Sequence, residues 1–165
     1  MSLATVQTRA KLGIQSPSVS VEAHLSNGLP SFHIVGLPET AVKESKDRVR
    51  SAIINSHFEF PARRITINLA PAELPKEGTR FDLSIAIGIL AASGQVPMDL
   101  LGKHEFIGEL ALSGELRPVE ALLPSAMACA NDDRALIISV DNASEAALVG
   151  QLTVLPATHL LQVSA

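Results

Sequence analysis

GLPSFHIVGLPETAVKESKDRVRSAIINSHFEFPARRITINLAPAELPKEGTRFDLSIAIGILAASG, residues 28–94, is the most densely patterned stretch of the chain. It reads as strand, helix, strand, helix. SFHIV at 31–35 is a strand that follows the Asn27-Gly28 turn signal. Gly36-Leu37-Pro38 opens a helix, with Pro38 near the first turn, where a missing N–H costs nothing. That helix is predicted from Glu39 to Asn55. Val42, Ser45, Val49, Ala52 and Ile53 fall on one face, and Lys43, Glu44, Lys46, Asp47, Arg48 and Arg50 on the other. Glu44–Arg48 and Lys43–Asp47 are four-residue opposite-charge pairs. Pro61 interrupts, and Arg63-Arg64 lead into the strand ITINLA, apolar at Ile65, Ile67 and Leu69. PAELPKEGTR (71–80) is a loop. The segment 81–93 is almost entirely apolar, so it should be a central buried helix, with Gly88 marking close packing and Gly94 ending it.

Outward from this run, 5–12 and 16–25 read as strands. Val19, Val21, Ala23 and Leu25 alternate with polar residues at the two-residue period of a half-exposed strand. Gly13 suits a hairpin between the two, and Asn27-Gly28 suits another before 31–35. Three sequential antiparallel strands are therefore expected. On the other side, 105–110 and 115–117 are strands around a Ser113-Gly114 turn. A helix at 119–130, a buried strand at 135–140, a helix at 143–149, a strand at 152–155 and a last helix at 157–164 complete the order. The sum is an α/β (α+β) fold, a mixed sheet packed with helices, expected as one domain over residues 1–165.

Composition agrees with a large core: 47% of residues are hydrophobic and only 18% charged. Trp and Tyr are absent, so stacking platforms for single-stranded bases are poorly supplied, and the five Phe read as core. Cys129 is the sole cysteine, which excludes an internal disulfide and a Cys-based metal site; its apolar setting predicts an inert thiol. The first residues are too charged for a signal peptide, and no apolar run is long enough to span a membrane. A cytoplasmic protein with no membrane partner is expected. Net charge is −4 but uneven: residues 1–80 carry ten Lys/Arg against seven Asp/Glu, and residues 81–165 three against ten. The basic half suits an anion and the acidic half a basic partner, or both are ordinary solvated surface.

Motifs for chemistry are missing. No phosphate-cradling G-x-x-x-x-G-K-[ST], no G-x-G-x-x-G and no G-x-S-x-G occurs, and no two histidines are spaced i,i+4. Catalytic, cofactor-binding and metal-binding residues are all expected to be none. Two clusters remain. Lys43, Lys46, Arg48, Arg50, Arg63 and Arg64 are candidate contacts to DNA phosphates or to a neighbouring subunit or domain, against the plainer reading of a salt-laced solvent face. Glu73, Lys76, Glu77, Arg80 and Asp82 bracket the loop before the buried helix, either as a contact site or as ion pairs that fix the loop.

The segments GLPSFHIVGLPETAVKESKDRVRSAI, RRITINLAPAELPKEGTRFDL and FIGELALSGELRPVEALLPSA resemble the ComM/YifB family of magnesium-chelatase-like AAA+ proteins over most of the chain. The resemblance implies a Lon-protease-like domain, of the type of domain two of ribosomal small-subunit protein five, that precedes an AAA+ motor. More distantly, PKEGTRFDLSIAIGILAASG is similar to the Lon stretch bearing the nucleophilic serine, with Arg80 at the serine position. GELRPVEALLPSA is similar to the stretch bearing the catalytic lysine, with Leu123 at the lysine position. A Ser–Lys dyad needs a hydroxyl and an amine to take its proton. Arginine stays protonated and leucine has no base, so a degenerate site without peptidase activity is expected. The family implies an ATP-driven hexameric ring linked to DNA branch migration in natural transformation, with ATP and Mg²⁺ held by the motor. This chain lacks a Walker motif, so it is expected to be one domain of a longer protein, partnered by its AAA+ domain, by copies of itself and by DNA. The alternative is a protein-recognition module of a chelatase-like or chaperone-like AAA+ protein.

Overall fold

The computed structural model describes residues 2–164. Nine strands are described: β1 (Leu3–Arg9), β2 (Ser18–Ser26), β3 (Ser31–Val35), β4 (Arg64–Ala70), β5 (His104–Phe106), β6 (Glu109–Leu110), β7 (Leu116–Arg117), β8 (Ala135–Ser139) and β9 (Val154–Ala157). The α-helices are α1 (Thr40–Lys43), α2 (Ser45–Asn55), α3 (Asp82–Ala92), α4 (Leu122–Asn131), α5 (Ala143–Ala146) and α6 (Leu160–Val163). Seven strands form one mixed sheet in the order β3-β4-β2-β1-β5-β8-β9, and β6 and β7 form a separate hairpin. The expected mixed α/β architecture is present.

Period-two patterning sets the sheet. Val19, Val21, Ala23 and Leu25 of β2 and Ile65, Ile67 and Leu69 of β4 all point into the core. Against that face lies α3, buried from Asp82 to Ala91. A helix enclosed all round has no polar face, which is why its sequence shows no helical stripe. Gly88 lets it approach the sheet: a Cβ there would sit 3.1 Å from the Ala23 Cβ. A smaller cluster of Ile107, Leu122, Ala126, Cys129, Leu136, Ile138 and Ala146 joins α4 and α5 to β8.

The expectation of three sequential antiparallel strands is wrong in one place. The β1–β2 hairpin forms, but β3 pairs parallel with β4, and β4 inserts antiparallel beside β2. The loop Asn27–Pro30 therefore crosses over the end of β4 instead of closing a hairpin. Apolar β4 gains a ladder partner on each side, and short β3 takes the edge.

Other differences are local. The single helix predicted over 39–55 breaks at Glu44 into α1 and α2. Arg48 Nη2 donates to Ala41 O, the carbonyl that a continuous helix would offer to the Ser45 amide. The Glu44–Arg48 pair forms at 3.9 Å, whereas Lys43–Asp47 forms no ion pair among the described residues. The strand predicted over 105–110 splits at Ile107-Gly108, because Gly108 bonds the chain at Arg80 and Leu83 instead of a strand neighbour. Of the five Phe, Phe81 and Phe106 are buried, whereas Phe32, Phe58 and Phe60 are only partly so.

Candidate functional site

Arg80 ends the 71–80 loop two residues before α3, and its side chain is buried. Its guanidinium donates to Ser125 Oγ at 2.7 Å and to Glu120 O at 2.9 Å, with longer contacts to the Arg9 and Ala121 carbonyls at 3.4 Å. Ser125 Oγ in turn lies 2.6 Å from Ser16 Oγ, which donates to Ala10 O. Arg80 therefore ties the β1–β2 hairpin to the start of α4. Ala121, which precedes α4, is left-handed at φ 54°. That conformation costs a non-glycine residue about 1–3 kcal/mol and persists only where its surroundings hold it. Burial pushes the Arg80 pKa down to about 10, partly offset by Glu145, so the group stays charged at neutral pH.

Leu123 is the second residue of α4, half-buried, with its amide donating to Glu145 Oε2 at 2.9 Å. The two positions aligned with the Lon dyad thus meet the same helix start. One is a fixed cation and the other an alkyl chain. Neither can give a hydroxyl a proton acceptor.

The remaining charges of the 71–82 stretch divide. Glu73 and Glu77 are exposed. Lys76 is fully buried and its ammonium donates to the Gly36 and Pro71 carbonyls. Asp82 is fully buried and accepts from Ser45 Oγ (2.6 Å), Arg48 Nε (2.7 Å) and the Leu110 amide (3.1 Å). Burial pushes the Asp82 carboxyl up, and these donors pull it back. Three of the five charges are struts between loop, helices and sheet. A second buried ionic cluster, Arg9 with Glu105 and Asp132 and Arg134 with Glu105, locks β1 to β5 and to the end of α4. Its bonded partners lie up to 123 residues apart, so no local signal announced it.

The six basic candidates also divide. Arg48 is held by Asp82. Arg63 donates to Ser2 Oγ and Leu25 O. Lys43, Lys46, Arg50 and Arg64 make no ion pair among the described residues. Lys46, Arg50 and Arg63 line a cleft of about 530 Å³ between α2, β3 and the Phe60–Arg63 segment. Phe32 and Phe60 form part of its wall, 5.8 Å apart and tilted by 32°, and the Arg50 guanidinium lies 5.5 Å from the Phe60 ring centre. Asp47 lines the same cleft. Sequence reasoning placed these phenylalanines in the core. The signal it passed over was their spacing around exposed cations, since Arg–aromatic stacking is a recognition device as well as a packing one. No cluster of three or more metal-ligating side chains occurs among the described residues.

Comparison with known proteins agrees with this geometry. Residues 21–142 match the family described as Subunit ChlI of Mg-chelatase. The chain is 56% identical over 163 residues to Competence protein ComM of Haemophilus influenzae, covering 99% of this chain and 32% of that protein. It is 53% identical over 165 residues to the uncharacterized protein YifB of Salmonella typhimurium, covering 100% and 33%. An uncharacterized protein of Mycobacterium bovis is 39% identical over 155 residues, covering 93% and 31%. The chain spans about a third of the length of the curated relatives it matches. Seen with the sheet-and-helix fold and the matched central segments, these likenesses place the chain in the ComM/YifB family of magnesium-chelatase-like proteins.

Proposed function

We propose that this chain is the non-catalytic, Lon-like domain of an AAA+ ATPase that processes DNA in the cytoplasm, where it helps assemble a ring and engages DNA during branch migration. The motor, with its ATP and Mg²⁺, is assigned to the rest of the length found in the relatives. The name of the Haemophilus relative supports a role in competence. The carrying observation is a group of surface cations: Lys43, Lys46, Arg50 and Arg64 have no ion-pair partners among the described residues, and Lys46 and Arg50 line one cleft with Arg63. Cations in that state gain from neutralising phosphates and releasing counterions. Arg80 and Leu123 support the non-catalytic part, because they leave the dyad position without a nucleophile or a base.

The test uses the protein at its natural length and fluorescence anisotropy with forked and single-stranded DNA over a salt series. Lys46→Glu and Arg50→Glu should each weaken binding and reduce the log–log salt slope by about one. Binding unchanged by both variants would move the function to the second reading, a protein-recognition module. That reading is favoured by Asp47 within the cleft, by its Phe32 and Phe60 walls and by the chain's pI of about 5.7.

A further inference from the structure

The cleft between α2, β3 and the Phe60–Arg63 segment holds a carboxylate that phosphate binding leaves unexplained. Positions 47, 50 and 54 recur at the three- and four-residue spacing of one helix face, so α2 lines the cleft with Asp47, Arg50 and Ile54 together. Phe32 and Phe60 line it from β3 and from the segment before β4, each half-buried, so part of each ring stays open. The Arg50 guanidinium lies 5.5 Å from the Phe60 ring centre, within cation–π reach. Lys46, Arg50 and Arg63 set three cations on the lining against the single acid Asp47. Asp47 is exposed and forms no ion pair among the described residues.

These groups together select a nucleotide whose base is unpaired. An acidic peptide would satisfy the cations but offers no flat face to the rings, and a basic peptide is opposed by three charges to one. In a duplex the base faces are stacked on each other and only their edges reach the grooves. A ring-lined cleft therefore meets a base face only where the strand is single. Phe32 and Phe60 supply that stacking surface in a chain without Trp or Tyr. The cleft volume of about 530 Å³ lies in the range that encloses a small molecule, roughly 300–1,000 Å³, which suits one nucleotide and not a DNA helix. Asp47 then acquires a role. An ionised carboxylate only accepts hydrogen bonds. Cytosine, adenine and guanine each carry an amino donor, whereas thymine presents a carbonyl oxygen and no amino group.

We propose that this cleft is a single-strand subsite that stacks one unpaired, amino-bearing base on Phe60 and Phe32, with Asp47 accepting from the amino group. Lys46 and Arg50 meet the flanking phosphates. Arg63 is tied to Leu25 O and Ser2 Oγ, so it contributes a fixed positive charge. Thymine would set oxygen against oxygen at Asp47 and lose the bond. The subsite rests on the DNA reading above and adds to it which form of DNA, and which bases, the cleft takes.

The experiment is fluorescence anisotropy on the protein at its natural length, with oligo-dC, oligo-dT and a duplex of equal length at neutral pH. Oligo-dC should bind about five-fold more tightly than oligo-dT, the scale of one net hydrogen bond. Asp47→Asn should bind both more tightly, because a negative charge is gone. It should also bring them within about two-fold of each other, since an amide accepts from cytosine and donates to thymine. Phe60→Leu should weaken both single strands about ten-fold, as for one lost stacked base, with duplex binding and the salt slope unchanged because no cation is removed. A 5-iododeoxycytidine oligomer irradiated on the unsubstituted protein gives a readout free of folding effects, and the cross-linked peptide should contain Phe60 or Phe32. Equal affinity of the unsubstituted protein for oligo-dC and oligo-dT overturns the proposal, as does a cross-link confined to peptides outside the cleft. A Phe60→Leu protein that keeps its thermal melt and loses duplex and single strand alike overturns it too. The two readings fail differently. If Lys46→Glu and Arg50→Glu lower the salt slope while the dC preference is absent, the subsite falls alone. If they leave DNA binding unchanged, the DNA reading falls and takes the subsite with it.

Discussion

Asp82→Ala is the substitution that most directly tests how this fold is held. The carboxylate is fully buried at the start of α3 and accepts from Ser45 Oγ at 2.6 Å, Arg48 Nε at 2.7 Å, Arg48 Nη2 at 3.1 Å and the Leu110 amide at 3.1 Å. It joins α2, α3 and β6 through one side chain. Alanine leaves the Ser45 hydroxyl and the Leu110 amide without an acceptor, each costing about 1–3 kcal/mol. Arg48 loses its ion-pair partner but keeps 19% of its side chain in water, so part of its charge is rehydrated. The total falls at about 3–5 kcal/mol, the range for breaking one side of a buried pair. At roughly 2–4 °C per kcal/mol for a chain of this size, the melting temperature should drop by about 6–20 °C. Trp and Tyr are absent, so far-UV circular dichroism is the probe for urea and thermal unfolding. Asp82→Asn should fall between wild type and alanine, because its amide keeps one acceptor but turns donors toward Arg48. Arg48→Met with Asp82→Leu should recover much of the loss, since removing both charges leaves no uncompensated ion. A cost below about 1 kcal/mol for Asp82→Ala would refute the reasoning, because no orphaned buried donor is that cheap.

Arg80→Ser places a hydroxyl at the dyad position but should yield no peptidase activity, as Leu123 offers no base; a fluorogenic peptide assay checks this. The same variant should lose about 2–4 kcal/mol from the lost bonds to Ser125 and Glu120, read from its urea midpoint. Gly114→Ala should destabilise by about 2 kcal/mol or more, because Gly114 sits at φ +96° and a Cβ there would meet Ser56 Oγ and lie 2.8 Å from His159 Cε1. A neutral result in thermal melts would contradict that packing. Burial and the nearby Glu105 carboxylate push the Cys129 thiol above its ordinary 9.0. The native state then holds the thiol proton where the unfolded chain releases it, so stability falls as pH rises above 9. The loss should be about 1.4 kcal/mol at pH 10, and it should vanish in Cys129→Ala. Native protein should also resist thiol reagents at pH 9, and rapid labelling without unfolding would show the site to be open.

Much of the fold was legible locally. The alternation in β2 and β4, the apolar run of α3 and the Gly13 and Gly114 turns each follow from side-chain period and backbone freedom over a few residues. Pairing was less legible. Asn27-Gly28 carries a hairpin signal, yet its loop spans β4, because strand partnership depends on which apolar strand needs two neighbours. The candidate site divided in the same way. The basic cluster was visible as composition, but which cations are free was not, since Arg48 is claimed by a carboxylate 34 residues away and Arg63 by a carbonyl 38 residues away.

By itself the sequence determined the family, the element types and the buried central helix, because each is carried by residue identity within a short window. Only the tertiary structure decided that β4 lies between β2 and β3, and that Arg80 is a buried strut. It also decided that Phe32 and Phe60 wall a cleft lined by Lys46, Arg50 and Arg63. Those facts are set by contacts between segments far apart in the chain, where burial, desolvation and hydrogen-bond satisfaction are settled for the whole molecule at once.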